Sequence, residues 1–101
     1  HFQFRRWIHP ISLRTTQIID GVQVRMLDAN HCPGAAIILF QLRNGQFVLH
    51  TGDFRACKEM QNYPELSGSS IHTLYLDTTY CNQKYRYSYL CLLTSLFCFF
   101  L

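Results

Sequence analysis

Two dipeptides that favour tight turns, Asp20-Gly21 and Asn44-Gly45, constrain the fold of this 101-residue chain more than any other feature. Asp-Gly and Asn-Gly favour hairpin turns because these residues tolerate positive φ. Apolar and β-branched residues stand on both sides of each dipeptide, as they do in the strands of a hairpin. The sequence therefore predicts two successive β-hairpins.

The strand sequences also predict which faces are buried. In residues 22–26, Val22, Val24 and Met26 alternate with polar residues, which is typical of a strand with one buried face. Residues 35–42 are continuously apolar through Phe40, which predicts a strand covered on both faces. Further strands are indicated in residues 46–51 and in the segment that ends at Asp77.

The rest of the chain adds turns and loops but little helix. Residues 61–70 are polar and rich in turn formers, and no segment of the first 80 residues has a convincing helical periodicity. The composition, 49% hydrophobic and 15% charged, is that of a packed domain and excludes a disordered chain. We therefore expect four or five strands in a sheet-rich segment.

Charge and cysteine content give weaker indications. The net charge of +3 suits an anionic partner such as nucleic acid, although many proteins without such a partner share it. The five cysteines are an odd number without a CxxC pair, which favours free thiols in a reducing compartment, the cytosol or the nucleus.

Both ends of the chain depart from those of a complete protein. The N-terminus lacks an initiator Met and the layout of a signal peptide, so we expect the chain to begin within a longer protein. The apolar run of residues 90–101 has 12 residues, whereas a membrane-spanning helix needs about 20. We therefore predict no membrane partner.

Polar side chains follow three of the predicted strands. His31 comes after the first of these strands together with Asp28 and Asn30, Asp53 comes after the next, and Asp77 after the last. Because neighbouring strands lie about 4.8 Å apart, such side chains can converge on one edge of a sheet. Imidazole and carboxylate suit zinc, but His31 and Asp53 supply two ligands and zinc sites take three or four. The remaining ligands must come from elsewhere.

Simpler interpretations exist for each of these residues. His31 can be a hydrogen-bonded loop histidine, Asp53 a turn residue that caps backbone amides, and Asp77 a helix N-cap with hydroxyl partners. Cys32 has no base partner in a recognisable arrangement, so we interpret it as a loop residue. The basic and aromatic segment of residues 2–7 can contact nucleic acid, but a packing segment is the favoured interpretation.

Three motifs in order are more specific than any one of these residues. "DANHCPGA", "HTGDFR" and "LYLDTTYC" resemble three successive signatures of the DNA cross-link repair nucleases, the Artemis-like branch of the metallo-β-lactamase superfamily that carries a β-CASP insert. The resemblance covers about residues 15–84. It implies an α/β fold, with this chain forming part of an αββα metallo-β-lactamase sandwich and consisting mostly of strands.

The resemblance also implies a division of the chain. Residues 1–84 would be the C-terminal part of a metallo-β-lactamase domain running into the start of a β-CASP region. Residues 85–101 diverge from the family pattern, and we interpret this apolar tail as a gene-model artefact.

The family's motifs assign roles to individual residues. By resemblance, His31 is the zinc-binding histidine of the third lactamase motif, and Asp53 is the carboxylate of the fourth, expected to bridge two zinc ions. Asp77 would be the first acidic residue of the β-CASP signature and would act in catalysis. The expected loop-shaping neighbours are Asn30, Pro33 and Gly34.

The implied activity is zinc-dependent hydrolysis of DNA phosphodiesters by a nuclear 5′ exonuclease of interstrand cross-link repair and end processing. The family's HxHxDH motif is absent from the 101 residues, so we expect little or no nuclease activity from this chain alone. Two alternatives are a fragment of an RNA-processing β-CASP or other metallo-β-lactamase hydrolase, and a non-catalytic remnant.

Overall fold

The computed structural model describes residues 7–79, which form a five-stranded mixed sheet. Neighbours in the chain are neighbours in the sheet; the first four strands pair antiparallel, and the fifth runs parallel to the fourth. A 3₁₀ helix and one turn of α-helix, α1, connect the last two strands. This is the architecture of part of an α/β sandwich, as the sequence predicted. The elements are β1 (Thr16–Ile19), β2 (Val22–Asp28), β3 (Ala36–Gln41), β4 (Phe47–His50), the 3₁₀ helix (Lys58–Asn62), α1 (Pro64–Ser67) and β5 (Ile71–Tyr75).

The first predicted hairpin is confirmed. Ile19 pairs with Val22, which leaves Asp20 and Gly21 as a two-residue turn between β1 and β2. Their φ angles are 51° and 80°, and positive φ at both central residues defines the type I′ turn. The right-handed twist of that turn matches the twist of the two strands.

The second predicted hairpin is confirmed with a longer turn. The Leu42 N–H donates to the Gln46 carbonyl oxygen at 2.9 Å, and the Gly45 N–H donates to the Leu42 carbonyl oxygen at 2.9 Å. Gly45 has a φ of 86°. This pattern is a type I turn followed by a left-handed glycine, the usual three-residue hairpin.

One face of the sheet carries the main hydrophobic core. Cross-strand partners lie on the same face of a sheet, and Leu27 pairs with Ile37 while Leu39 pairs with Leu49. The segment between β4 and β5 covers this face. The buried residues of this core are Leu27, Ala29, Ile37, Leu39, Leu49, Phe54, Ala56, Met60 and Leu66.

The opposite face differs from the sequence prediction. Ile37 and Leu39 are buried, but Ile38 and Phe40 on the other face of β3 are only partly buried, so β3 is not fully covered on both sides within residues 7–79. Val24, which pairs with Phe40, is buried on this second face. The predicted buried face of β2 is therefore not the one that enters the main core, because the segment after β4 covers only the face that carries Leu27.

The helical segments were not predicted, because each is too short to produce a periodic pattern. The 3₁₀ helix spans five residues and α1 spans four. Pro64 occupies the start of α1, where its missing N–H costs no helical hydrogen bond. Each segment anchors itself through one buried side chain, Met60 in the first and Leu66 in the second.

Some predictions fall beyond residues 7–79. These are the boundary at residue 84, the apolar tail of residues 85–101 and most of the basic segment near the N-terminus. Between residues 7 and 79, no helix combines the length and apolar character that a bilayer crossing requires.

Candidate functional site

Three strands end at the same edge of the sheet, which we call the polar edge. β2 and β4 are each antiparallel to β3, and β5 is parallel to β4, so β2, β4 and β5 share one direction. The loops that follow their last residues therefore begin side by side. His31, Asp53 and Asp77 lie in these three loops, and the predicted site residues are thus brought to one edge.

The loop after β2 turns sharply and exposes His31. The Asp28 carboxylate accepts a hydrogen bond from the Asn30 N–H at 2.9 Å. Asn30 has a φ of 54° and Gly34 a φ of 88°, both in the left-handed region that most side chains avoid. Asn30 and Gly34 thus shape the loop as the sequence predicted, and the His31 side chain lies in solvent.

The loops after β2 and β4 are joined to each other. The Arg55 N–H donates to the Ala29 carbonyl oxygen at 2.9 Å, and the Asn30 side-chain amide donates to the Arg55 carbonyl oxygen at 3.2 Å. These contacts lie next to His31 on one loop and two residues from Asp53 on the other. No sequence pattern indicates them, because they connect residues that are 26 and 25 positions apart.

Thr51 joins the ends of β4 and β5. Its side chain is 3% exposed. The Thr51 N–H donates to the Tyr75 carbonyl oxygen at 3.0 Å, and its hydroxyl accepts from the Asp77 N–H at 2.9 Å. The hydroxyl also donates to the Gly52 carbonyl oxygen at 3.0 Å. The sequence analysis did not identify this residue, although a polar β-branched residue directly after an apolar strand was a usable signal.

The Asp77 carboxylate is held by hydrogen-bond donors. The Thr79 hydroxyl and N–H donate to it at 2.6 Å and 3.0 Å, and this is the local capping geometry considered for Asp77. These two bonds, followed by the Phe54 N–H and the nearby charge of His31, lower the pKa of Asp77. The bond from the Asp77 N–H to the Thr51 hydroxyl places Asp77 beside the loop that carries Asp53.

His50 shapes the turn that leads to Asp53. The Nδ1 atom of His50 accepts from the Gly52 N–H at 3.0 Å, and its ring stacks on Tyr75 with the centroids 5.6 Å apart. Gly52 has a φ of 54°, and a Cβ atom there would lie 3.3 Å from the Ala36 carbonyl oxygen. The sequence analysis assigned His50 no role, and the structure gives it a local structural one.

Comparison with known proteins identifies homologues of this chain. No protein-family model matches the chain. Over 80 residues, or 79% of the chain, it is 54% identical to the DNA cross-link repair protein SNM1 of Arabidopsis thaliana. Over 82 residues, or 81% of the chain, it is 54% identical to the DNA cross-link repair 1A protein of Gallus gallus. The chain is thus homologous to a segment of the DNA cross-link repair protein family.

A third similar protein is named as an exonuclease. Over 77 residues, or 75% of the chain, the sequence is 47% identical to the 5′ exonuclease Apollo of Gallus gallus. The aligned region spans 16%, 8% and 17% of the lengths of these three cross-link repair proteins. The chain therefore corresponds to a small part of each of them, and the resemblance of its three motifs to this family is confirmed.

A cleft opens beside His31 at the polar edge of this family segment. Its volume is about 550 Å³, and it combines an apolar wall with polar groups. Cys32, an exposed free thiol, lies on its border. The cleft is lined by Ile11, Leu13, Met26, Asp28, Asn30, His31, Cys32, Pro33, Gly34, Ala35, Ala36 and Arg55.

The donor set at the polar edge fits a metal in type but is incomplete in number. His31 and Asp53 are exposed and carry an imidazole and a carboxylate, which are ligands that zinc accepts. Among residues 7–79, no three His, Cys, Asp or Glu side chains are grouped so as to hold a metal ion. The described residues of this family segment therefore supply part of a metal site at most.

Proposed function

We propose that this chain is the part of a zinc-dependent DNA nuclease that contributes His31 and Asp53 as metal ligands and Asp77 as a catalytic carboxylate. One observation carries the proposal. The loops that carry the three residues follow strands of one direction and are joined by two hydrogen bonds, from the Asn30 amide to the Arg55 carbonyl oxygen and from the Asp77 N–H to the Thr51 hydroxyl. Three motifs far apart in sequence thereby meet at one edge of the sheet.

The chemistry of the three side chains suits phosphodiester hydrolysis. Two bound zinc ions, in the complete site, would neutralise the phosphate oxygens and activate a water molecule near neutral pH. Asp77 is ionised near neutral pH, and donation by the Thr79 hydroxyl and N–H lowers the pKa of its carboxyl further. The exposed carboxylate of Asp53 can bridge two cations, and His31 can bind one of them. The further ligands that zinc needs lie outside the described residues.

The proposed substrate is the 5′ end of a DNA strand, in interstrand cross-link repair and DNA end processing. Two relatives are named as DNA cross-link repair proteins and a third as a 5′ exonuclease. We place the protein in the nucleus. The two cysteines described by the structure, Cys32 and Cys57, are free thiols, which suits a reducing compartment.

The 101-residue chain by itself should have little or no nuclease activity. His31 and Asp53 cannot replace a full set of three or four zinc ligands. A zinc titration of the purified chain, combined with a cleavage assay on a 5′-phosphorylated oligonucleotide, measures this. Stoichiometric tight binding of two ions with cleavage of the oligonucleotide would contradict the proposal of an incomplete site.

A chimera tests the function of the segment in a complete enzyme. Residues 15–79 of this chain replace the aligned segment of the 5′ exonuclease Apollo of Gallus gallus, to which the chain is 47% identical. We expect the chimera to retain metal-dependent 5′ exonuclease activity. In the chimera, His31→Ala, Asp53→Ala and Asp77→Ala should each lower kcat/KM by more than about 100-fold, the upper range for loss of a group that only orients a ligand.

The matched control is His72→Ala, which removes another exposed histidine, on β5. It should leave the activity of the chimera within about threefold of the unsubstituted chimera, because surface changes away from a site have small effects. Full activity of the His31→Ala or Asp53→Ala chimera would exclude the proposed ligand roles. Matched DNA and RNA substrates separate the DNA nuclease from the RNA-processing alternative, which predicts faster cleavage of RNA.

A further inference from the structure

We infer that Thr51 is a positioning residue, whose hydroxyl sets the distance of Asp77 from the loop that carries Asp53. This inference rests on the proposed function, because it concerns the geometry of the same polar edge. Thr51 touches neither substrate nor metal in this proposal. It acts through the backbone of the two loops that follow β4 and β5.

The link begins where the strand pairing ends. His50 and Tyr75 are the last paired residues of β4 and β5. Directly after them, the Thr51 N–H donates to the Tyr75 carbonyl oxygen at 3.0 Å, and the Asp77 N–H donates to the Thr51 hydroxyl at 2.9 Å. The side chain of Thr51 thus extends the connection between the two strands by one more step.

The hydroxyl also connects to the loop on its own side. It donates to the Gly52 carbonyl oxygen at 3.0 Å, one residue before Asp53. A hydroxyl has one donor and two acceptor lone pairs, so it can hold both loops at the same time. The Asp77 backbone is fixed on one side of Thr51 and the approach to Asp53 on the other.

Burial makes this arrangement sensitive to substitution. Thr51 is 3% exposed, and water cannot easily replace a lost hydroxyl at such a position. Thr51→Val keeps the shape but removes both hydrogen bonds, and leaves the Asp77 N–H without its acceptor. Thr51→Ser keeps the hydroxyl and removes only a methyl group. The two variants therefore separate the hydrogen bonds from the packing.

The test uses the full 101-residue chain and two readouts. NMR measures hydrogen exchange of the Asp77 amide, which donates to the Thr51 hydroxyl, and Co²⁺ titration measures broadening of the His31 and Asp53 signals. In Thr51→Val we expect the Asp77 amide to exchange faster and the apparent Kd for Co²⁺ to rise about 10-fold or more, as for loss of groups that orient ligands. Thr51→Ser should restore slow exchange of the Asp77 amide and remain within about threefold of the native Kd.

A core variant controls for loss of stability alone. Leu66→Ala removes a buried side chain from α1, which makes no ligand at the polar edge. If Thr51 only stabilises the fold, the folded molecules of Leu66→Ala and of Thr51→Val should both bind Co²⁺ with the Kd of the native chain. If Thr51→Val does not fold, Thr51→Ala, which also lacks the hydroxyl but adds no methyl group, takes its place.

Different results would contradict the proposed metal ligands and the proposed role of Thr51. Absence of Co²⁺ broadening at His31 and Asp53 in the native chain would count against the proposed metal ligands, while exchange of the Asp77 amide still reports on Thr51. Unchanged exchange of the Asp77 amide in Thr51→Val, or in Thr51→Ala, would overturn the positioning role whatever the Co²⁺ result.

Discussion

The side-chain amide of Asn30 donates to the Arg55 carbonyl oxygen at 3.2 Å. This bond fixes the loop after β2 to the loop after β4, and a second bond from the Arg55 N–H to the Ala29 carbonyl oxygen, at 2.9 Å, runs beside it. The separation of His31 from Asp53 therefore depends on Asn30, which precedes His31, and on Arg55, two residues after Asp53. The backbone of Asn30 is also unusual, with a φ of 54°.

Two substitutions separate the contributions of the Asn30 side chain and backbone. Asn30→Gly removes the hydrogen bond to Arg55 and accepts a positive φ, so the free energy of unfolding should fall by about 1 kcal/mol. Asn30→Ala removes the same bond, but at positive φ Ala has a Cβ atom, which Gly lacks, and no polar side chain for a local hydrogen bond, which Asn has. Its free energy of unfolding should therefore fall by about 1 kcal/mol more. Urea denaturation measures both. Equal stability of the two variants would show that the backbone at Asn30 is not strained.

Arg14 and Glu65 form an ion pair whose two partners differ in burial. Arg14 Nη1 donates to both carboxylate oxygens of Glu65, at 2.9 Å and 3.0 Å, and its guanidinium lies 4.7 Å from the centroid of the Tyr63 ring. The Arg14 side chain is 46% exposed but that of Glu65 only 8%. Removal of Arg14 therefore leaves a buried carboxylate without its cation, whereas removal of Glu65 leaves a cation in water.

This difference in burial predicts unequal costs. Arg14→Leu should lower the free energy of unfolding by about 2 kcal/mol, and Glu65→Leu by no more than about 1 kcal/mol, because an unpaired buried charge is destabilising. The double variant should cost less than the sum of the two single ones. Chemical denaturation of all four forms gives the coupling energy. Additive costs would mean that the ion pair contributes nothing to stability.

The sequence predicted local structure well because local chemistry determined it. Asp20 and Gly21 form the expected turn since both adopt positive φ, and the three strand ends meet since the predicted order of turns and strands leaves them at one edge. The three motifs identified the family because each combines chemically specific residues in a fixed order. These features depend on residues that are neighbours in the chain.

The remaining features depend on residues far apart in the chain. Arg14 and Glu65 are 51 residues apart, and Thr51 and Asp77 are 26 apart, so no periodic pattern connects them. The prediction of which face of β2 enters the core was also wrong, because the segment between β4 and β5 that covers the sheet was predicted only as turns. Leu27, which is fully buried, breaks the alternation of apolar residues that suggested the other face.

Met60 shows how much the covering segment contributes. It is 1% exposed, in the 3₁₀ helix that packs on the core face of the sheet. Met60→Ala should lower the free energy of unfolding by about 2–4 kcal/mol, since it leaves a cavity. Met60→Leu conserves volume and should cost less than about 1.5 kcal/mol.

Lys58, an exposed residue of the same 3₁₀ helix, provides the control. Lys58→Ala should change the free energy of unfolding by no more than about 0.5 kcal/mol. A Met60→Ala variant as stable as Lys58→Ala would show that the 3₁₀ helix does not pack on the sheet.

The hydrogen bonds to Asp77 predict how stability depends on acid. Donation by Thr79 and then by Phe54, with the charge of His31, lowers the pKa of Asp77 in the folded chain. A carboxyl whose pKa is lower in the folded than in the unfolded chain stabilises the fold at pH values above the unfolded pKa, which is about 3.9 for Asp. That stabilisation is lost as the pH falls through the lower, folded pKa. Asp77 should thus contribute fully at pH 6 and progressively less below about pH 4.

Asp77→Asn removes this contribution because an amide does not ionise in this range. Urea denaturation of the chain in the presence of a chelator, between about pH 6 and pH 2.5, should show a smaller loss of stability on acidification for Asp77→Asn than for the native chain. Thr79→Ala removes the hydroxyl donor but keeps the backbone donor, so its acid dependence should lie between the two. The same acid dependence in the native chain and in Asp77→Asn would show that these hydrogen bonds do not hold the carboxylate in solution.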